Sequence, residues 1–157
     1  SGTVSLGGNV WTCGTKPDGS AWRVGIQDPR RAEESSAYVG TLELSDAFAV
    51  TSGGYQRYFE ENGEIYHHIL NPATGYPAQS GLISVTIVSG ENGTMCDALS
   101  TALFVMGEEQ AVAFWRSGQY DFDMILVTED NRVLVTEGIA GAFALTEGSE
   151  YVCQTIS

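Results

Sequence analysis

A single change of hydrophobic period constrains this chain more than any other feature. The run LISVTIVS (82–89) is rich in β-branched residues and reads as a strand. Five residues later TMCDALSTALFVMG (94–107) sets Met95, Leu99, Ala102, Leu103 and Met106 at helical spacing. Thr94, with Asp97 three residues on, resembles a capping box, and Gly107 is placed to stop the helix. EEQAVAFWRSG (108–118) then reads as a second helix.

Strand signals occupy what comes before. TVSLGGNVWTCG (3–14) alternates around a Gly-Gly break, AWRVGIQDP (21–29) ends at Pro29, and YVGTLELS (38–45) and AFAVTSGG (47–54) are rich in β-formers. YQRYFEENGEIYHHIL (55–70) reads as a hairpin with arms Tyr55–Glu60 and Ile65–Leu70 joined through ENGE. Beyond the helices, FDMILVTED (122–130) and RVLVTEG (132–138) form another hairpin over Asp-Asn, and 139–157 is mixed. Strands grouped as hairpins around a helix pair give an α+β fold with mostly antiparallel pairing. The 157 residues suit one domain, and 43% hydrophobic residues supply its core. An apolar strand begins almost at residue 1, as it would in the second half of something longer.

Seven basic residues against twenty acidic ones give a net charge of −13, which disfavours nucleic acid as a partner. The same charge repels phosphate ligands unless a divalent cation bridges them. No apolar run is long enough to span a bilayer and no signal peptide is visible, so the chain is cytosolic or has lost a leader. Cys13, Cys96 and Cys153 match neither zinc spacing nor a C-x-x-C motif and read as small core residues.

Two stretches can carry chemistry. In DALST (97–101), Asp97, Ser100 and Thr101 stand at i, i+3 and i+4, on one side of a helix. A carboxylate with two hydroxyls is an oxygen-only set suited to Mg²⁺ or Ca²⁺; the same residues also read as a capping Asp and hydroxyls bonded to their own backbone. In HHILNPATGYP (67–77), a rigid Asn-Pro and Thr-Gly-Tyr-Pro corner follows two histidines. Adjacent strand residues face opposite ways, so at most one of His67 and His68 serves a given site. LGGN (6–9) and TSGGY (51–55) permit close backbone approach to a ligand but match no phosphate-loop pattern.

LGGN (6–9), WRVGIQDP (22–29), TSGGYQRYFEENGEIYHHILNPATGYP (51–77) and DALSTALFVMG (97–107), in this order, resemble the C-terminal half of the ApbE-type FAD:protein FMN transferases, up to about residue 138. The family's turn H-I-I-D-P-x-T-G is here HILNPATG (68–75), with Asn71 in place of Asp. The resemblance implies an α+β, T-fold-like architecture with a mostly antiparallel sheet and a helix pair. It implies Mg²⁺-dependent transfer of FMN from FAD to a Thr or Ser hydroxyl of a target flavoprotein, with AMP released. FAD pyrophosphatase activity, or a non-catalytic FAD-binding domain, are the alternatives.

By the same resemblance, Asp97 and Thr101 match the metal ligands, and Ser100 stands where some members have a second acid. Asp97 and His68 are the catalytic candidates, with His68 contacting the flavin nucleotide or activating the acceptor. Gly8, Asn9, Ser52, His68 and the backbone around Leu70 border the FAD pocket, and Thr74 with Gly75 holds the turn. Members are about twice as long; their first half adds FAD contacts and a main-chain metal ligand, so this chain pairs with a missing N-terminal half or self-associates. Many members are lipoproteins outside the bacterial cytoplasmic membrane, which implies a cell-envelope location and an anchor in a segment not seen here.

Overall fold

The computed structural model describes residues 1–157 apart from the side chains of Glu64 and Ile65. Its strands are β1 (Gly2–Leu6), β2 (Asn9–Cys13), β3 (Trp22–Gln27), β4 (Tyr38–Leu44), β5 (Phe48–Gly53), β6 (Tyr58–Glu61), β7 (Glu64–His67), β8 (Leu82–Ser89), β9 (Asp123–Thr128), β10 (Arg132–Thr136), β11 (Phe143–Leu145) and β12 (Val152–Ile156). The helices are α1 (Gly93–Met106), α2 (Glu108–Arg116) and the short α3 (Glu137–Ala140). A seven-stranded sheet runs β1-β2-β5-β8-β9-β10-β12, a three-stranded sheet runs β11-β4-β3, and β6-β7 forms a separate hairpin. Every pairing is antiparallel except β10 with β12, which matches the expected α+β class.

The large sheet is the middle of three layers. Against one face lie α1 and α2, whose Leu103, Phe104 and Ala111 pack on Val85, Ile87, Met124, Leu126 and Leu134. Against the other lies the small sheet, whose Val24, Ile26, Val39 and Leu42 pack on Val88, Ile125, Val127, Val133 and Val135. Along β9 the two covers alternate residue by residue: Met124 and Leu126 face the helices, Ile125 and Val127 the small sheet. Double coverage buries nearly every residue of β8 and β9, Ser84 and Thr86 included.

Local chemistry corrects several sequence readings. The N-cap of α1 is Asn92, whose side chain accepts from Met95 N at 3.1 Å; Thr94 and Asp97 lie inside the helix and do not cap it. The other end matches expectation, since Gly107 adopts φ 81° and returns its N–H to Leu103 O, dividing α1 from α2. The hairpin arms are shorter than expected, and the turn between them puts Asn62 and Gly63 at φ 54° and 81°, as a two-residue Asn-Gly turn requires. The cysteines are not all core residues: Cys96 is buried, Cys13 half-buried and Cys153 exposed.

Candidate functional site

Four elements converge on a cavity of about 760 Å³ at one end of the middle sheet. The β1–β2 turn brings Gly8 and Asn9, β3 brings Gln27, β5 and the segment after it bring Ser52, Tyr55, Gln56 and Arg57, and α1 brings Asp97 and Thr101. His68, just past β7, completes the wall. Residues from three separated sequence stretches, Gly8 and Asn9, Ser52 and His68, and Asp97 and Thr101, therefore share one chamber.

The hairpin fixes which histidine faces it. His68 N and His68 Nδ1 both lie 3.1 Å from Arg57 O. A carbonyl only accepts, so Nδ1 carries the proton and Nε2 of the neutral ring keeps its lone pair. His67 turns to the opposite face. Its Nε2–H donates to Ala78 O at 3.1 Å, and its ring meets Phe104 edge-on at 5.7 Å, lining a second cavity of about 420 Å³ beside Tyr58. The corner after it is rigid: Asn71 Oδ1 accepts from Ala73 N at 2.9 Å, Asn71 O accepts from Gly75 N at 2.8 Å, and Asn71 N donates to Tyr76 O at 2.9 Å. An amide at this position thus keeps the turn-making bonds an aspartate would make. Thr74 Oγ1 accepts from Tyr76 N at 3.3 Å, inside the corner. Neither Thr74 nor the exposed Leu70 lines the cavity.

On α1 the three oxygens divide. Ser100 is fully buried and outside the lining, while Asp97 and Thr101 are exposed to the chamber. Counting protons orders the hydroxyls. Ser100 Oγ donates to Asp97 O at 2.9 Å, so in its 2.8 Å contact with Ser52 Oγ it must accept. Ser52 has then used its only proton, so in the 3.0 Å contact with Thr101 Oγ1 it accepts and Thr101 donates. Thr101 is left presenting lone pairs, next to an Asp97 carboxylate that receives only a 3.3 Å bond from Asn9 Nδ2. An acceptor-only hydroxyl beside a carboxylate fits a hard divalent cation that keeps water or ligand oxygens in the rest of its shell. Among the described residues no group of three His, Cys, Asp or Glu side chains is placed to hold a metal ion. Tyr55 completes the polar lining; burial raises its phenol above the ordinary range, so it stays an O–H donor at neutral pH.

The profile of the ApbE family matches residues 1–126. The chain belongs to the ApbE family. It is 38% identical over 147 residues to a protein of Treponema pallidum named FAD:protein FMN transferase, covering 88% of this chain and 40% of that one. It is 37% identical over 133 residues to a Klebsiella pneumoniae protein of the same name, covering 85% and 39%. Among solved structures, the ApbE protein of Thermotoga maritima superposes with a TM-score of 0.68 at 37% identity, over 93% of this chain and 42% of that one. The flavin transferase ApbE of Vibrio cholerae superposes with a TM-score of 0.62 at 34% identity, over 82% and 39%. This ApbE chain thus spans about 40% of the length of the curated relatives it matches.

Gln27, Gln56 and Arg57 line the ApbE cavity without having been singled out in the sequence. Gln27 Nε2 donates to Ala37 O at 3.0 Å and Gln56 Nε2 to Thr51 O at 3.2 Å, so each amide is oriented by the backbone. Their signal was weak because long polar side chains ordinarily face water; only the pairing of Arg57 O with His68 across the hairpin marks Arg57.

Proposed function

We propose that the protein carrying this chain transfers FMN from FAD to a Thr or Ser hydroxyl of a target flavoprotein and releases AMP. The observation that carries this reading is the meeting of Asp97 and Thr101 with the free Nε2 of His68 around one cavity large enough for part of a dinucleotide, in a chain of the ApbE family. The family relatives named as FAD:protein FMN transferases support it. Because those relatives are longer, the chamber is the share of the FAD site contributed by this part of the fold.

Phosphoryl-type transfer asks for in-line positioning and charge neutralisation more than for covalent help. Asp97 and Thr101 would hold Mg²⁺, which when bound offsets the charge of the pyrophosphate and of the developing AMP phosphate. Ser52 and Ser100 fix the rotamer of Thr101 through their shared hydroxyls, and Asn9 steadies Asp97. The acceptor oxygen forms a bond to the FMN phosphorus as the bridging P–O bond to AMP breaks. The acceptor proton passes to His68 Nε2, whose ring the Arg57 carbonyl holds in the correct tautomer. Gly8 lets the backbone come close: a Cβ there would stand 3.3 Å from Gln56 Nε2. A cell-envelope location outside the cytoplasmic membrane, with a lipid anchor, is part of the same proposal.

Incubation with FAD, Mg²⁺ and a target flavoprotein gives a covalently fluorescent target band on a denaturing gel, and Asp97→Ala abolishes it. Free FMN with an unlabelled target would replace the transferase reading with a pyrophosphatase. Bound FAD that never turns over would leave a binding domain.

A further inference from the structure

Arg57 is the one cation among the nineteen residues that line the chamber, and Asp97 is the one acid. Arg31 pairs with Glu34, Arg132 with Glu108 and Asp130, Arg116 donates to Ser157 O, and Arg30 donates to Glu129 O, while the exposed Arg23 on β3, like Arg57, enters none of the described ion pairs but lies outside the chamber lining. Neither Arg57 nor Asp97 enters any of the described ion pairs, although both face the same chamber.

The hairpin sets this orientation. Tyr58 pairs with His67, and the next rung is held by His68 N donating to Arg57 O. Opposite residues of an antiparallel pair share a face and successive ones alternate. Tyr58 and His67 accordingly line the second cavity, while Arg57 and His68 line the first. Arg57 and His68 are thus both residues of the chamber wall, in the same cavity as Asp97 and Thr101.

Resting on the transferase reading, we propose that Arg57 binds the pyrophosphate of the dinucleotide, donating its N–H fork to the phosphate oxygens next to the phosphorus attacked. The fork of donors matches two oxygens of one phosphoryl group, a fit a lysine ammonium lacks. It also answers the electrostatic problem of so acidic a protein: a cation at Asp97 and Thr101 and a guanidinium at Arg57 approach the anion from two sides.

The test is titration of FAD, and separately of riboflavin, which has no phosphate, against the protein carrying this chain in the presence of Mg²⁺, read by flavin fluorescence. Arg57→Gln and Arg57→Lys are the variants; the side chain is exposed and the bonds to His68 use the Arg57 backbone, so both fold. Arg57→Gln is expected to weaken FAD roughly ten- to hundredfold, the worth of a hydrogen bond to a charged group, and to leave riboflavin unchanged. Arg57→Lys recovers part of the loss. Unaltered FAD affinity in Arg57→Gln overturns the assignment and leaves the transferase reading standing. Equal weakening of FAD and riboflavin also overturns it, since the arginine would then act on the flavin or the fold. If the unsubstituted protein binds no FAD, the transferase reading fails and takes the assignment with it.

Discussion

Thr101→Val and Ser100→Ala remove hydroxyls one position apart on α1 and should do opposite things. Ser100 is fully buried, donates to Asp97 O at 2.9 Å and accepts from Ser52 at 2.8 Å. Deleting it removes both bonds from a fully buried position, a cost of about 2 kcal/mol. For a chain of this size that is a fall in Tm of about 4–8 °C. Thr101 is exposed, makes one 3.0 Å hydroxyl bond, and valine matches its shape, so Thr101→Val should stay within about 1 kcal/mol of the parent. Its damage falls on the cation: losing one oxygen ligand should weaken Mn²⁺, used as a paramagnetic stand-in for Mg²⁺, roughly tenfold or more. Thermal melts and Mn²⁺ titrations by electron paramagnetic resonance read the two effects independently. Should Thr101→Val melt as early as Ser100→Ala while binding Mn²⁺ like the parent, the proton ordering along Thr101, Ser52 and Ser100 is wrong.

Three further outcomes are expected. His68→Ala should cut FMN transfer by about 10²- to 10⁴-fold, the worth of a general base, without lowering Tm, whereas His67→Ala, which loses the Ala78 bond and the Phe104 contact, should lower Tm and largely spare turnover; equal effects on rate would contradict the assignment of faces. Gly40→Ala should destabilise by about 1–3 kcal/mol in urea, as overpacking does, because the new Cβ would lie 2.5 Å from Phe143 Cζ and 2.6 Å from Ala144 O, while Gly141→Ala, which meets nothing within 4 Å, should be neutral. Burial pushes the Cys96 thiol up to about 11, so maleimide at neutral pH should label Cys13 and Cys153 but reach Cys96 only on unfolding. The sign for stability follows: the fold favours the neutral thiol, so this contribution is complete below the unfolded value of about 8.5 and is lost as pH climbs through the folded value.

Much of this architecture was legible where local pattern and burial agree. β8 spans 82–89 as read, because its β-branched residues suit a strand covered on both faces, and Gly107 stops α1 as read, because only the backbone is involved. The misreadings have physical causes. Asn92 caps α1 although Thr94 has the better-known spacing, since the cap depends on where the chain enters the helix. β12 escaped because its partner β10 is parallel and reached by a crossover through α3 and β11, which leaves no hairpin signal. In the site, the i, i+3, i+4 spacing grouped Asp97, Ser100 and Thr101, but spacing is blind to depth: the contact with Ser52 draws Ser100 inward and leaves the other two in the chamber. Arg57 was silent because its meaning comes from the strand opposite it, not from its own neighbours in sequence.

The most direct test is a crystal structure of the protein carrying this chain with FAD and Mn²⁺, with anomalous data collected at the manganese edge. The account requires an anomalous peak within coordination distance of Asp97 and Thr101, and the FAD pyrophosphate between that peak and His68 Nε2. Manganese bound elsewhere, or a dinucleotide whose phosphates lie away from His68, would contradict it.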